Sequence, residues 1–489
     1  MTPVAAGTLV FFTSGCVLVL EVLAIRLLAP YVGVTLQTYT AIIGTVLAGI
    51  AAGTGVGGHL ADRVEPRRLL GPLLVAGGAS AAATVPLVRL LGEAASGSRE
   101  LSVVGLTVAS FLLPAAVLSA VSPTVVKLQL RDLAVTGRVV GRLSAAGTAG
   151  ALAGTFLAGF VLVQAVPTST AILGLGLVLA VLGAVVWAVR GPGGRAGPVL
   201  GVVVALVAVG VGAGSRDPCE VETTYHCARV VADPTRAGGR TLVLDTLRHS
   251  YVDLDDPTYL EFRYVRRFAD VVDALAPSGP LEVLHLGGGG FTFPRWLAAT
   301  RPGSRSTVLE IDGGLVALAR DELGLVTGPG LRVVVGDARI SIARLESGSA
   351  QVVVGDAFGG LAVPWHLTTA EMMAQVRRLL GPGGLYVLNV IDYPPRRFVR
   401  AEVATLEAGF AHVAAVAPPE LLTGGGGGNY VLVASDAPLD AEALAAAIAR
   451  SGGSEAVVTG PGLAGFVDGA PVLTDDKAPV DQWLGRPCC

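Results

Sequence analysis

The segment Leu281–Gly290 reads LEVLHLGGGG, a mostly apolar run that ends in four consecutive glycines. Such a run predicts a buried strand. The glycine turn after it would let a ligand approach the backbone closely at the carboxyl edge of a parallel sheet. Further strand-like runs follow at intervals that leave room for helices, at Ser306–Ile311, Leu331–Val335, Gln351–Val354 and Leu385–Val390. This alternation predicts a doubly wound α/β domain.

Acidic residues stand at the predicted ends of the following strands. Glu310 lies 21 residues beyond Gly289, where a carboxylate suits hydrogen bonds from ribose hydroxyls. Asp337, followed by Ala338, ends the third strand and is placed to accept a hydrogen bond from an adenine amino group. Asp356 ends the fourth strand. Because the carboxyl ends of parallel strands meet at one edge of the sheet, these acids predict a nucleoside site.

A strand, a glycine turn and an acid suit either NAD or S-adenosylmethionine, and two features favour the second. Thr292 replaces the third glycine of the G-x-G-x-x-G pattern, which makes close helix packing around a pyrophosphate less favourable. Asp337 adds a further acid to the site. A sulfonium compound is a cation without phosphates, so acidic surroundings suit it electrostatically.

The N-terminal half has a different composition. The whole chain of 489 residues is 52% hydrophobic and only 15% charged, which argues against a purely soluble or a disordered protein. Seven apolar stretches, most of them long enough to span a bilayer, explain this balance. They lie near residues 7–29, 37–60, 69–91, 101–126, 143–165, 168–189 and 198–214. We therefore expect an N-terminal α-helical transmembrane bundle of about seven spans.

The net charge divides the chain at the same place. Residues 1–215 contain 12 Lys and Arg against 6 Asp and Glu, whereas residues 216–489 contain 23 against 32. The acidic half argues against a nucleic-acid partner, which requires a basic surface. The predicted domains are a multi-pass transmembrane domain over 1–215, a small β region with a linking helix over 216–280, and a catalytic α/β domain over 281–489.

The side of the membrane on which the second half lies stays open at this stage. Basic residues cluster after the second, fourth and sixth apolar stretches, and the positive-inside rule places those loops in the cytosol. They are Arg63, Arg67, Arg68, Lys127, Arg131, Arg138, Arg142, Arg190 and Arg195. Seven spans would then put the second half outside, where Cys219 and Cys227 could form a disulfide. A nucleoside co-substrate from the cytosol favours the opposite placement.

From about residue 220 to residue 435 the chain resembles the spermidine synthases, which are aminopropyltransferases, and above all their bacterial membrane-fused relatives. The matching stretches, in chain order, are Glu222–His226, Leu244–Asp245, His249–Asp253, Tyr259–Glu261, Gly287–Gly290, Glu310–Asp312, Gly336–Ala338, Gly355–Asp356, Pro364–Thr369 and Asn389. The resemblance implies a class I methyltransferase-like (Rossmann-like) domain. It also implies a site for decarboxylated S-adenosylmethionine or S-adenosylmethionine, no metal, and the homodimer that is usual in that family.

The resemblance places Glu310 on the ribose and Asp337 at the adenine. The full set of expected nucleoside-binding residues is Gly287, Gly288, Gly289, Gly290, Glu310, Asp312, Asp337, Ala338 and Asp356. The expected catalytic residues are Asp356, Tyr225, His249 and Tyr259, and His226, Glu261 and His366 are further candidates for the group that accepts a proton.

Three departures from the family pattern affect the polyamine end of the site. Gly290 stands where the family has an Asp that holds the aminopropyl amine, and Gly359 where it has a second Asp that positions and deprotonates the attacking amine. His249 replaces a Gln. An Asp at position 290 would repel the carboxylate of intact S-adenosylmethionine, so Gly290 removes a reason to prefer the decarboxylated form.

Three functions follow from these observations. The first is a membrane-integrated aminopropyltransferase that acts on a small amine. The second is a methyltransferase, or another transferase that uses S-adenosylmethionine, with a different and lipophilic acceptor. The third is a non-catalytic transporter-like or sensor protein with a nucleoside-binding domain, because Gly58–Arg68 resembles the loop signature of major-facilitator transporters. In each case the lipid bilayer is an expected partner.

Overall fold

A computed structural model describes residues 1–95, 100–130, 132–190 and 196–485 of the chain. The described residues form two compact units, Met1–Cys227 and Ala228–Cys489 by chain range. Of the basic loop residues named above, Arg131 and Arg195 lie outside the described part.

The first unit is helical. Its helices are α1 Pro3–Val32, α2 Leu36–Arg63, α3 Pro66–Ala95, α4 Glu100–Ser119, α5 Val121–Gln129, α6 Thr136–Leu157, α7 Val163–Ala165, α8 Thr168–Arg190 and α9 Ala196–Gly214. A 3₁₀ turn at Leu133–Val135 precedes α6, and a π-helical turn at Ala158–Leu162 joins α6 to α7. Counting α4 with α5 and α6 with α7, seven helical segments in the described residues are long and apolar enough to cross a membrane. The predicted helical bundle with about seven long apolar segments is confirmed.

Small residues allow the helices of this unit to pack at short distance. A Cβ atom on Gly53 of α2 would lie 1.9 Å from the carbonyl oxygen of Ala116 in α4. A Cβ atom on Gly154 of α6 would lie 2.3 Å from the carbonyl oxygen of Gly15 in α1. No larger side chain fits at either place, so glycine sets the distance between these helix pairs.

Polar contacts hold the segment that follows α9 against other helix ends of the same unit. Glu222 lies 3.4 Å from the Arg26 guanidinium of α1 and accepts a hydrogen bond of 2.7 Å from the backbone N–H of Thr168 in α8. Arg89 of α3 forms a 2.6 Å ion pair with Asp217. Cys219 and Cys227 form a disulfide. The short strand β1, Val221–Glu222, lies between the two cysteines.

The second unit begins with a small antiparallel sheet, followed by a helix. The strands are β2 Cys227–Ala232, β3 Gly239–Leu244 and β4 Leu247–Asp253, and the helix is α10 Arg263–Leu275. The sequence predicts this helix from about residue 258, five residues too early. Residues before Arg263 are instead held in a turn, in which the Asp256 carboxylate accepts hydrogen bonds from the backbone N–H and the hydroxyl of Thr258.

An eight-stranded sheet forms the rest of this unit. Its strands are β5 Glu282–Leu286, β6 Arg305–Glu310, β7 Leu331–Val335, β8 Ala350–Gly355, β9 Leu380–Asp392, β10 His412–Ala417, β11 Gly428–Ser435 and β12 Ala456–Thr459. The helices are α11 Thr292–Thr300, α12 Gly313–Glu322, α13 Ala338–Ile342, α14 Ala370–Leu379, α15 Arg397–Gly409, α16 Pro419–Thr423, α17 Ala441–Arg450, α18 Gly460–Val467 and α19 Val480–Trp483.

The strand order across the sheet is β12-β10-β11-β9-β8-β5-β6-β7. Strands β5 to β9 run parallel, and β10, β11 and β12 pair antiparallel with their neighbours. The predicted class I methyltransferase-like domain, preceded by a small β region, is confirmed. The chain leaves β5 in one direction towards β6 and β7, and returns on the other side of β5 with β8. Ligands of doubly wound folds bind at this switch in direction, which here lies beyond the ends of β5 and β8.

Candidate active site

The glycine turn after β5 adopts backbone angles that other residues rarely take. Gly287 has φ +94° and Gly289 has φ +51°. The turn also lies against the end of β8, because a Cβ atom on Gly287 would be 2.5 Å from the carbonyl oxygen of Asp356. Glycine is therefore required at this position by both conformation and space.

Glu310 anchors this turn from the end of β6. Its Oε2 atom accepts hydrogen bonds from the backbone N–H groups of Gly288, at 2.7 Å, and Gly289, at 3.2 Å. Its Oε1 atom accepts one from the backbone N–H of Asp312, at 2.9 Å. A carboxylate has about four lone-pair positions, so Glu310 retains capacity to accept a hydrogen bond from a ligand hydroxyl.

Two of the other predicted acids are helix caps. Asp312 accepts hydrogen bonds from the backbone N–H groups of Gly314 and Leu315 at the start of α12. Asp337 accepts hydrogen bonds from the backbone N–H groups of Arg339 and Ile340 at the start of α13. Its second oxygen lies 3.2 Å from Nε2 of His366. Ala338 is buried beside it. The run Pro364–Thr369 therefore contacts the third strand end through His366.

Asp356 lies just beyond the end of β8, between two hydrogen-bond donors. The Tyr264 hydroxyl of α10 donates to Oδ2 at 3.1 Å, and Nδ2 of Asn389 in β9 donates to Oδ1 at 3.1 Å. Asn389 in turn accepts a hydrogen bond of 2.9 Å from Asn429 in β11. This chain of contacts fixes the orientation of the carboxyl group.

The environment of Asp356 changes its acidity. Burial raises the pKa of this carboxyl to about 6, and the hydrogen bonds from Asn389 and Tyr264, which lower the pKa, offset only part of that effect. Burial and the adjacent Asp356 raise the pKa of Tyr264 well above its usual value, so its hydroxyl stays protonated. A carboxyl group with a pKa near 6 can accept a proton at neutral pH and return it, which is what a general base requires.

A pocket opens beside Asp356. Its walls come from the ends of β4, β5 and β8, the glycine turn, and the first turns of α10 and α11. Lining residues include Ser250, Tyr264, Phe268, His285 and Phe293. Burial lowers the pKa of His285 to about 3, so this imidazole is neutral, and its Nε2 atom lies 3.1 Å from the Ser306 hydroxyl.

Strand β4 brings His249 and Ser250 to the glycine turn. The backbone N–H of Gly290 donates a 3.0 Å hydrogen bond to the Ser250 hydroxyl. His249 Nδ1 would lie 3.3 Å from a Cβ atom placed on Gly289. The structure therefore places His249, a predicted catalytic residue, beside the predicted nucleoside-binding glycines.

The other predicted catalytic residues have different surroundings. The Tyr259 hydroxyl donates a 2.7 Å hydrogen bond to Glu261, and the Arg236 guanidinium lies 3.8 Å from the centre of the Tyr259 ring. Tyr259 is not among the residues that line the pocket beside Asp356. Tyr225 and His226 belong to the first unit, in a turn closed by a hydrogen bond from the Thr223 N–H to the His226 carbonyl.

Sequence reasoning assigned no role to Tyr264 or Asn429, both of which contribute to the environment of Asp356. For Asn389 a signal was present, because it is a polar residue within the apolar run Leu385–Val390. For Tyr264 no spacing rule applies, since the contact joins positions 92 residues apart. In the described ranges of the chain, no group of three or more His, Cys, Asp or Glu side chains could hold a metal ion.

Comparison with known proteins gives sequences related to part of this chain. No family model matches the chain. A polyamine aminopropyltransferase of Chromobacterium violaceum is 30% identical over 141 residues, which are 29% of this chain and 53% of that protein. One from Vibrio vulnificus is 32% identical over 133 residues, which are 27% of this chain and 44% of that protein. The chain thus spans about half the length of the curated relatives that it matches.

The chain is also similar to a solved structure. The crystal structure of a probable spermidine synthase from Corynebacterium glutamicum shares 31% sequence identity. The match covers 52% of this chain and 95% of that chain, with a TM-score of 0.49.

Proposed function

We propose that this chain, whose α/β region is spermidine synthase-like, is a transferase that moves an aminopropyl group from decarboxylated S-adenosylmethionine to an amine. The similarity to polyamine aminopropyltransferases supports the proposal. The structural observation that carries it is the Asp356 carboxyl group, held by Tyr264 and Asn389 beyond the strand ends where the chain reverses direction.

The reaction needs a neutral amine beside an electrophilic carbon. The amine nitrogen attacks the carbon next to the sulfonium in line, and methylthioadenosine leaves. Asp356 accepts the proton that the amine loses. Glu310 and the glycine turn bind the ribose, and Asp337 binds the adenine. Holding the two reactants in this arrangement supplies much of the acceleration, because it converts an encounter in solution into a reaction within one complex.

Methyl transfer from intact S-adenosylmethionine is the second candidate, and the surroundings of Gly290 favour it. A Cβ atom on Gly290 would lie 2.7 Å from the Ser250 Cβ atom, so this backbone has no room for a side chain there. No carboxylate at position 290 then repels the carboxylate of intact S-adenosylmethionine. The acceptor in that case would be a lipophilic compound.

We also propose that the seven long apolar helices of the first unit integrate the protein into a membrane as a multi-pass domain. Their length and composition meet the requirement for spanning a bilayer. The functional divisions at about residues 215 and 280 remain predictions.

The nucleoside product distinguishes the candidate functions. Purified full-length protein is incubated with decarboxylated or intact S-adenosylmethionine and a panel of amines. Methylthioadenosine supports aminopropyl transfer, and S-adenosylhomocysteine overturns it in favour of methyl transfer. Asp356→Asn is the matched control, because it keeps the size of the side chain and removes the base. Nucleoside binding without any product would indicate a non-catalytic protein.

A further inference from the structure

A buried ion pair joins α10 to the segment that leads into the outermost strand of the sheet. Nη1 of Arg267, in the second turn of α10, lies 2.6 Å from Oε2 of Glu455, and each side chain is only 3% exposed. Nε of Arg263, one turn earlier, lies 3.8 Å from the other carboxylate oxygen of Glu455. Glu455 directly precedes β12, which three strands separate from β8. One carboxylate therefore contacts two successive turns of α10 from a part of the sheet remote from Asp356.

Further partners hold the Arg267 guanidinium in one position. Its Nη2 group donates a 2.8 Å hydrogen bond to the hydroxyl of Ser451, just beyond the end of α17. Its Nε atom lies 2.9 Å from Oδ2 of Asp270 in the next turn of α10. A side chain at Gly453 would overlap Nη1, so the guanidinium lies directly against the backbone there. The attachment of α10 to the segment after α17 is therefore defined at several atoms.

The same two turns of α10 carry Tyr264. Residues four apart share one face of a helix, so Arg263 and Arg267 lie on one face, and Tyr264 and Phe268 lie together on another. The ring centres of Tyr264 and Phe268 are 5.6 Å apart, and the Tyr264 hydroxyl donates to Asp356. A hydrogen bond weakens steeply when its angle departs from linear. A small rotation or shift of α10 would therefore weaken the contact with Asp356.

Stability alone does not account for a buried ion pair. Taking two charges out of water costs free energy of the same order as their attraction returns, so apolar side chains of similar size could join these elements equally well. Apolar packing tolerates several arrangements, whereas the donors of a buried guanidinium are satisfied in few. The ion pair thus specifies where α10 lies.

We propose, on the basis of the proposed transferase function, that Glu455 is a positioning residue for the reaction. Through Arg263 and Arg267 it fixes α10, and α10 in turn holds the Tyr264 hydroxyl at the Asp356 carboxyl group. Glu455 itself touches neither Asp356 nor the pocket lining. The orientation of the proposed base then depends on a residue 99 positions later in the chain.

The first test is the pH profile of the whole chain in lipid nanodiscs, measured by formation of the nucleoside product. Glu455→Gln keeps the size of the side chain and removes its charge. We expect kcat to fall and the acidic limb of kcat/KM to move to higher pH by about half a unit or more, because Tyr264 then stabilises the ionised carboxyl less. Glu442→Gln, at an exposed position on α17, is the matched control and should leave the limb in place. A fall in kcat without any movement of the limb overturns the positioning role.

A double variant tests whether Glu455 acts through Tyr264. Glu455→Gln is introduced into Tyr264→Phe, which already lacks the hydrogen bond to Asp356. Residues that act through one contact are not additive, so we expect the second change to move the acidic limb no further. A further movement as large as that in the unmodified background overturns the proposed route.

Hydrogen exchange tests the anchoring without any turnover. We expect the backbone amides of α10 to exchange faster in Glu455→Gln than in Glu442→Gln, and equal rates overturn the anchoring. Absence of any nucleoside product from the unmodified protein overturns the proposed function, and the exchange rates still decide whether Glu455 holds α10. Thermal melting shows whether Glu455→Gln is folded. If it is not, Ser451→Ala, which removes one partner of Arg267, should give smaller changes in the same directions in both measurements.

Discussion

The Tyr264 hydroxyl donates a hydrogen bond of 3.1 Å to Oδ2 of Asp356 and so joins the start of α10 to the end of β8. This contact connects the segment before the eight-stranded sheet to the sheet edge where the reaction is proposed to occur. It fixes the carboxyl group from one side, while Asn389 fixes it from the other. Asp356 is therefore oriented by one residue from α10 and one from β9, and two of the predictions depend on this arrangement.

The first prediction concerns pH. Burial raises the pKa of Asp356 to about 6, so the carboxylate that accepts a proton forms as the pH rises through that value. We expect kcat/KM to increase as the pH rises through about 6. Above that range the ionisation of Asp356 is complete and causes no further increase. The groups that face the carboxyl are Tyr264 and Asn389, and neither ionises near neutral pH. A profile that is unchanged in Asp356→Asn would contradict the assignment of this limb.

The second prediction concerns Tyr264→Phe. The hydrogen bond from Tyr264 stabilises the ionised carboxyl, so its removal should move the acidic limb of the pH profile to higher pH and lower kcat. The matched control is Tyr430→Phe, since the Tyr430 hydroxyl donates to the Leu421 carbonyl and makes no contact with Asp356. An equal shift in both variants would show that the effect is not specific to the contact with Asp356.

The third prediction concerns Glu310→Ala. Loss of the carboxylate leaves the N–H groups of Gly288 and Gly289 without their acceptor and removes a group proposed to bind the ribose. We expect nucleoside binding to weaken by about 1–3 kcal/mol, the usual cost of leaving buried polar groups without partners. Titration calorimetry with methylthioadenosine measures this change. Glu322→Ala, an exposed position at the end of α12, is the control and should leave affinity unchanged.

The fourth prediction compares two glycines. A Cβ atom on Gly290 would lie 2.7 Å from the Ser250 Cβ atom, whereas one on Gly359 would meet no atom within 4 Å. Gly290→Ala should therefore destabilise the protein by about 1–3 kcal/mol through overpacking. Gly359→Ala should leave the melting temperature nearly unchanged. Equal melting temperatures for the two variants would show that the turn after β5 can move away from β4.

The fifth prediction concerns membrane topology. Arg63 ends α2, Lys127 lies in the last turn of α5, and Arg190 ends α8. These three ends close the second, fourth and sixth long apolar helices, so they lie on one side of the membrane if all seven helices span it. The disulfide between Cys219 and Cys227 follows the seventh helix and would then lie on the opposite side. We therefore predict that this segment lies outside the cytosol, where the co-substrate of the α/β unit that follows would have to be supplied.

Labelling of intact cells tests this placement in a chain whose Cys16, Cys488 and Cys489 are replaced by Ala. We expect a membrane-impermeant maleimide to label the chain only after mild reduction, because Cys219 and Cys227 are then free and accessible from outside. Labelling that requires permeabilised cells would place the segment in the cytosol. A variant that also lacks Cys219 and Cys227 gives the background.

The sequence alone determined the order of the α/β elements, the helical character of the first unit, and the glycines and acids at the strand ends. These features are local, because side-chain periodicity, glycine and chain length act within a few residues. It could not determine what those acids contact. Asp312 and Asp337 cap helices, and Glu310 turns towards the N–H groups of a turn more than twenty residues earlier.

Only the tertiary structure decided the surroundings of Asp356. Tyr264 lies 92 residues away in the chain, and the side chains that line the pocket come from β4, β5 and β8 as well as from α10 and α11. Such contacts arise when the sheet and its helices pack, and no spacing rule within one segment encodes them. The closeness of Ser250 to Gly290 has the same origin, since it depends on how β4 lies against the glycine turn. The glycine turn after LEVLHL is thus a property of the sequence, and the acidity of the carboxyl beside it is a property of the fold.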